Sequence, residues 1–176
     1  MQDTAISPEQ IKAFLQKYAE DAKNLAVMRE RLSALEVKSG SARTSSLSAT
    51  PKSPGNPVDI LGRQVAALDT LRDAVAAAEA QVFRRRQRTE TIIDILRTQR
   101  VAKWPEKCNL LSLKYIDCMG WSDVTEILFG DNPRYWDATD TFTRKTFALH
   151  RQALQELSEL ATADMLDDYE ITESGR

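Results

Sequence analysis

The chain has 176 residues, of which 42% are hydrophobic and 7% aromatic, and its net charge is −2. This length suits one domain or two small ones, and so few aromatic, glycine and proline residues favour an α-helical protein over a β protein. No apolar run approaches the ~18 residues of a membrane-spanning helix, and the first seven residues lack the pattern of a secretory signal, so we expect no membrane partner.

The first predicted helix occupies most of residues 1–36. Ser7 is a good capping residue, Pro8 stands at the first helical position, and Gln10 follows the cap by three residues, which together are typical of a helix start. Apolar residues then repeat every seven positions, as they do in a coiled-coil seam: Tyr18, Leu25 and Leu32.

Residues 37–57 interrupt the helical pattern. This stretch contains six serines, three prolines and two glycines, with only scattered apolar residues between them. Such a composition predicts a flexible linker, either a loop between two antiparallel helices or a tether.

A second long helix, coiled-coil-like, is predicted over residues 58–100. It contains no proline, and apolar residues again repeat at intervals of seven: Leu61, Leu68, Val75 and Val82. A helix this long with a narrow apolar stripe needs a partner. The partner is the first helix of the same chain, a second subunit that makes a homodimer through the N-terminal helices, or both.

Charge is distributed unevenly along the chain. Residues 84–107 contain eight basic and three acidic residues, a net charge of +5, whereas residues 108–176 have a net charge of −7. The acidic tail, residues 161–176, accounts for much of the latter. Four arginines of the basic stretch are candidates for binding DNA phosphates, and the alternative is an exposed stretch of coiled coil: Arg84, Arg85, Arg86 and Arg88.

Residues 101–160 have the plan of a helix-turn-helix DNA-binding domain. A helix closed by Gly120-Trp121 precedes a short helix, residues 123–129, which Ser122 is expected to cap. Val124, Ile127 and Leu128 of the short helix are expected to face the core. A longer helix then follows, from Thr141 to Glu159, with apolar positions at the spacing of one helical face: Phe142, Thr146, Leu149, Ala153 and Leu157.

The opposite face of the long helix is the candidate DNA-reading surface. Arg144 could bind a guanine through two hydrogen bonds, and its neighbours could hold bases or phosphates. The alternative is that this face is simply solvated. The lone His150 is expected to pack at a helix junction. The candidate DNA-binding residues on this helix are Thr141, Thr143, Arg144, Lys145, Ala148 and Arg151.

The sequence LKYIDCMGWS, residues 113–122, resembles the helix-turn-helix of sigma-factor region four in phage and prophage transcriptional regulators. The similar proteins are the ArpU- and RinA-like activators and a related uncharacterised family. A second motif of these regulators is matched by Arg144, Phe147, Leu149, His150, Ala153, Leu154 and Leu157.

The chain departs from that family pattern at two places. Residues 130–139 lengthen the turn before the long helix, and Ala148 stands where such regulators often have a basic or polar residue. In the lengthened turn, Arg134, Tyr135 and Trp136 could contact the duplex, or the two aromatic rings could fold back over the small core.

The resemblance implies a sequence-specific regulator of phage or prophage type that binds double-stranded DNA in the cytoplasm of a bacterial host. One alternative is a small terminase-like packaging component, which would form a ring. Another is a helical module that docks on RNA polymerase without reading DNA. We expect no enzyme, cofactor or metal, because the chain lacks a second histidine, a Cys-x-x-Cys motif and a glycine-rich phosphate loop.

Overall fold

The computed structural model describes residues 6–42 and 60–166, and all regular structure in these ranges is helical, which confirms the all-α prediction. A π-helical segment, Ser112–Ile116, extends the third helix. The α-helices are α1 (Pro8–Ala42), α2 (Ile60–Thr98), α3 (Trp104–Leu111), α4 (Trp121–Phe129), α5 (Thr139–Leu160) and α6 (Ala163–Leu166).

The chain divides into two compact units, and both long helices contribute to each. Residues 20–84 form the first, which we call the hairpin unit. Residues 1–19 together with 85–176 form the second, which we call the core unit.

The start of α1 is the capping arrangement that the sequence predicts. The backbone N–H of Gln10 donates to the Ser7 hydroxyl over 3.2 Å, and the backbone N–H of Ser7 donates to Gln10 Oε1 over 2.8 Å. The helix ends at Ala42 and not near Glu36, because no proline stops it in that interval. Of the predicted linker, residues 43–57 lie outside the described residues.

In the hairpin unit, α1 and α2 pair with each other within the chain. Arg29 binds Glu79 over 2.7 Å, and Arg72 binds Glu36 over 2.8 Å, so the two helices run antiparallel. Both ion pairs are exposed to solvent, so they contribute little to stability. Burial of apolar side chains at the heptad positions stabilises the pair more strongly. Three of these positions are buried, Leu25, Leu68 and Val75, whereas Leu32 and Val82 are half-buried.

The core unit buries apolar side chains from α3, the π-helical segment, α4 and α5, and from the ends of both long helices. The compact unit therefore extends beyond residues 101–160, because the first turns of α1 and the last turns of α2 complete its core. Its most buried apolar residues are Ile11, Leu15, Ile92, Leu96, Leu110, Leu111, Val124 and Leu157.

Two details of α4 differ from the sequence prediction. The helix begins at Trp121 with Gly120 as its N-cap, so Ser122 is a helical residue and not the cap. Val124 is fully buried and Leu128 is partly buried, but Ile127 is 51% exposed. Thr125, on another side of the helix, is buried instead, and its hydroxyl donates to the Trp121 carbonyl over 2.8 Å.

The turn between α3 and α4 depends on Cys118 and not on Gly120. Cys118 has a φ of 55°, the left-handed conformation, whereas Gly120 has a φ of −65°. The Met119 amide then donates to the Leu113 carbonyl over 3.0 Å, which closes the helix end. A residue with a β-carbon therefore occupies the position that glycine usually fills.

Replacing Cys118 by glycine is expected to stabilise the core unit by about 0.5–1 kcal/mol. The left-handed conformation costs a residue with a β-carbon about 1–2 kcal/mol, whereas the entropy that glycine adds to the unfolded chain costs about 0.4–1 kcal/mol. Urea unfolding followed by tryptophan fluorescence measures this change, since all three tryptophans lie in the core unit. Cys118→Ala is the matched control and should leave stability nearly unchanged; equal stability of the glycine and alanine variants would contradict the account.

Candidate nucleic-acid interface

The inner face of α5 is held firmly against the rest of the core unit. The apolar face predicted from the spacing is buried as expected. The buried hydroxyls of Thr125 in α4 and Thr146 in α5 lie 3.1 Å apart, within hydrogen-bond distance, and the Thr146 hydroxyl also lies 3.1 Å from the Phe142 carbonyl. Because these polar groups have partners, they join α4 to α5 without an unsatisfied hydroxyl at this junction.

Aromatic rings extend this packing at both ends of the contact. The Trp121 ring lies 4.9 Å from the rings of Phe147 and His150, measured between centroids. In the lengthened turn, Tyr135 is buried against Phe142 as one of the two alternatives predicts. Trp136 does not fold back and is 72% exposed, because Tyr135 already covers the Phe142 ring.

The six predicted DNA-binding residues of α5 lie in different environments. The Thr143 hydroxyl donates to the Thr139 carbonyl, and the Lys145 ammonium lies 4.7 Å from the centroid of the Phe142 ring. Thr141 is exposed near the start of the helix. The remaining three form one exposed stripe at helical spacing: Arg144, Ala148 and Arg151.

This stripe forms one wall of a groove of about 540 Å³, and the first turns of α1 form the other. We call it the α1–α5 groove. Phe147, which is 41% exposed, and Leu154 supply apolar surface, and α1 adds Lys12 and Glu9. Sequence reasoning missed the contribution of α1, because more than a hundred residues separate it from α5 and no local pattern links them.

The two arginines of the groove have free guanidinium groups. Among the described residues, neither Arg144 nor Arg151 forms a side-chain hydrogen bond or an ion pair. With Lys12 opposite and Glu9 as the one acidic residue of the lining, the groove has a net positive charge. It is therefore suited to an anionic ligand with some apolar surface.

The upstream arginines do not share this site. Arg84 belongs to the hairpin unit, while Arg85, Arg86 and Arg88 belong to the core unit but do not line the groove. Arg86 donates to Glu90 over 2.9 Å, and this hydrogen bond raises the pKa of Arg86. The Glu90 carboxylate thus partly neutralises the charge of Arg86 and would compete with a DNA phosphate for it.

Lys107, which we counted in the basic stretch, points inward. Its side chain is only 3% exposed, and its ammonium lies 2.6 Å from both carboxylate oxygens of Glu156, which is 29% exposed. The pair joins α3 to α5 and removes one positive charge from the surface.

His150 packs at a helix junction, as expected. Its Nε2 forms a hydrogen bond with the Tyr115 hydroxyl over 2.9 Å, and either group can be the donor, according to the imidazole tautomer. Burial, and to a smaller extent the charges of Lys12 and Lys114, lowers the pKa of His150 to about 4. Burial also raises the pKa of Tyr115 to about 12. Both groups are therefore neutral near pH 7.

The core unit is expected to lose about 2 kcal/mol of stability as the pH falls from 6.5 to 4. In this window the unfolded chain binds a proton at His150, whereas the folded chain resists it, so the stabilisation present above pH 6.5 is lost. Urea unfolding at each pH, followed by tryptophan fluorescence, measures the slope. His150→Gln should remove this part of the slope, since the chain contains no other histidine; an unchanged slope between pH 5 and 6.5 would refute the assignment.

The chain matches no protein-family model, no curated protein and no solved structure. The likeness to region four of sigma factors therefore stays a prediction from the two motifs. Within residues 6–42 and 60–166, no helix is both long and apolar enough to cross a membrane. The same part of the chain contains no group of three or more His, Cys, Asp or Glu residues positioned to hold a metal ion.

Proposed function

We propose that this chain is a sequence-specific transcriptional regulator of phage or prophage type that reads double-stranded DNA with the outer face of α5. One observation carries the proposal: the inner face of α5 is fixed by α3 and α4, while Arg144 and Arg151 are exposed on the outer face and have no side-chain partner among residues 6–42 and 60–166. A rigid helix with unpaired arginines at helical spacing is what readout of base edges requires.

The dimensions of α5 suit this role. An α-helix with its side chains is about 10–12 Å across, and the major groove of DNA is about 12 Å wide. Arg144 lies in the second turn of the 22-residue helix, where helix-turn-helix proteins contact base edges. Arg151 and Lys12 lie further along the groove, where they would meet phosphates.

The lengthened turn before α5 offers a further contact. Arg134 and the exposed Trp136 lie just before the N-terminal end of the helix that would enter the major groove. An exposed indole at this position can stack against a sugar or a base step, and the arginine can bind a phosphate. The longer turn would therefore add contacts to DNA.

Exposed apolar side chains on the hairpin unit favour a homodimer through the N-terminal helices. Val65 and Phe83 are exposed on α2 and differ by eighteen residues, so they lie on one side of the helix. Light scattering should therefore give twice the 19.8 kDa mass of the chain. The Phe83→Ser variant should give the mass of a single chain. A larger ring would favour the terminase-like alternative.

Selection of bound sequences from random duplex DNA tests the proposed function. We expect a short enriched motif in low salt, because direct contacts to base edges discriminate among bases. Recovery of unenriched DNA would contradict sequence-specific reading.

A docking module for RNA polymerase is the second candidate, and the charge of residues 104–160 favours it. This segment contains six basic and nine acidic residues, so it has a net charge of −3. A net negative charge repels DNA phosphates everywhere except at the basic face of α5. A protein partner with basic residues would be attracted to it. Binding to polymerase that survives the loss of Arg144 and Arg151, together with no enrichment from random DNA, would select this candidate.

A further inference from the structure

We propose that the α1–α5 groove holds the chain's own acidic segment, residues 167–176, and that this contact competes with DNA. Occupancy of the groove does not depend on the proposed function, whereas the competition rests on it. The chemistry of the groove, the charge of the segment and the distance between them support the proposal.

The groove and the segment are complementary in charge. Lys12, Arg144 and Arg151 line the groove, against the single carboxylate of Glu9. The segment contains four acidic residues and one basic residue, a net charge of −3: Asp167, Asp168, Glu170, Glu173 and Arg176. Opposite charges at such a site steer and hold a ligand, most strongly at low ionic strength.

The two also match in apolar surface. Phe147 is 41% exposed and lines the groove together with Leu154. The segment carries Tyr169 and Ile171 among its acidic residues. An aromatic or aliphatic side chain that covers Phe147 would bury apolar area that salt bridges alone would leave in water. A phosphate backbone has no equivalent group, so the apolar contact distinguishes this occupant from DNA.

The segment is also long enough to reach the groove. The described chain continues to Leu166, which packs against the apolar core of the same unit. From the end of α5 at Leu160 back to Arg151 is nine helical residues, about 14 Å. Ten residues span up to about 33 Å, more than twice the distance along α5 from Leu160 to Arg151.

The first experiment measures docking without any DNA. A fluorescently labelled peptide of residues 167–176 is titrated into two full-length chains, the parent and a variant with a neutral segment (Asp167→Asn, Asp168→Asn, Glu170→Gln, Glu173→Gln). We expect the peptide to bind the neutral-segment variant about tenfold more tightly than the parent, whose groove is already occupied. Arg144→Glu with Arg151→Glu in that variant should abolish binding, and a peptide with Tyr169→Ser and Ile171→Ser should bind several-fold more weakly.

Three outcomes would overturn the proposal: equal affinity for the parent and the neutral-segment variant, binding that survives the reversal of both arginines, and an increase in mass with concentration that the neutral-segment variant loses. The last result would mean that a second copy supplies the segment. Since none of these measurements involves DNA, they remain decisive if the chain proves not to bind DNA.

The second experiment measures competition. The neutral-segment variant should bind the selected duplex about tenfold more tightly than the parent, since a site occupied nine-tenths of the time loses that factor in apparent affinity. A matched control neutralises four exposed carboxylates elsewhere (Glu20→Gln, Glu30→Gln, Asp73→Asn, Glu106→Gln) and should change affinity far less. Equal gains in the two variants would show a general charge effect and contradict competition at the groove. If neither chain binds DNA, the proposed function fails while the docking result stands.

Discussion

Replacing Arg144 and Arg151 together by alanine is expected to weaken binding to the selected duplex by about 100-fold or more. One arginine that binds a guanine contributes about 1–3 kcal/mol, and a phosphate contact adds to it. Both side chains are exposed and unpaired among the described residues, so their removal should leave the fold intact. Fluorescence anisotropy with a labelled duplex measures the affinity.

Two further measurements make this prediction specific. The slope of log affinity against log salt concentration should become shallower by about 2 if both arginines contact phosphate, and by about 1 if Arg144 contacts only a base. The matched control, Arg31→Ala with Arg63→Ala, removes the same charge from exposed positions of the hairpin unit and should bind almost as well as the parent. Unchanged affinity in the Arg144 and Arg151 variant, with normal helical circular dichroism, would remove α5 as the reading helix.

Replacing Glu156 by leucine is expected to destabilise the core unit by about 3 kcal/mol. The Lys107 ammonium is almost completely buried, and the Glu156 carboxylate is the partner that compensates its charge. Removing the carboxylate leaves a buried positive charge without a counterion, which is the costly way to break such a pair. Urea unfolding monitored by tryptophan fluorescence measures the loss.

Because Lys107 is more deeply buried than Glu156, replacing one partner of the pair should cost a different amount of stability from replacing the other. Lys107→Met should cost only about 1 kcal/mol, because the Glu156 carboxylate is 29% exposed and can reach water. Adding Lys107→Met to Glu156→Leu should recover much of the loss, since the buried charge is then gone. Glu159→Leu, one turn away on the exposed face of α5, is the matched control and should change stability by less than about 0.5 kcal/mol. A larger loss for Lys107→Met than for Glu156→Leu would contradict this account.

The sequence predicted the regular parts of this fold well, for a definite physical reason. Heptad spacing in α1 and α2 and the apolar spacing in α5 are local consequences of helical geometry, so the buried faces could be identified without any long-range information. The Ser7 cap is local in the same sense. The ion pairs Arg29–Glu79 and Arg72–Glu36 show that the two long helices pair within the chain, whereas the second subunit that the sequence also allows stays a prediction.

The errors concern residues whose environment depends on distant parts of the chain. Lys107 looked like a surface charge, but Glu156, forty-nine residues later, draws it inward. Ile127 was expected in the core but is exposed, and the buried Thr125 forms a hydrogen bond with Thr146 of α5 instead. Cys118 adopts the left-handed conformation that local rules assign to the nearby glycine. Lys12 of the groove could not be found from sequence at all.

Site-specific photo-crosslinking tests the central claim most directly. A photoreactive amino acid at position 148, within the exposed stripe of α5, should form a covalent link to the selected duplex. The same group at the exposed Gln64, in the hairpin unit, should form little or none. Crosslinks from position 148, prevented by excess unlabelled duplex of the selected sequence but not by a scrambled one, would support reading by α5. Retained DNA binding with no crosslink at position 148 would contradict it.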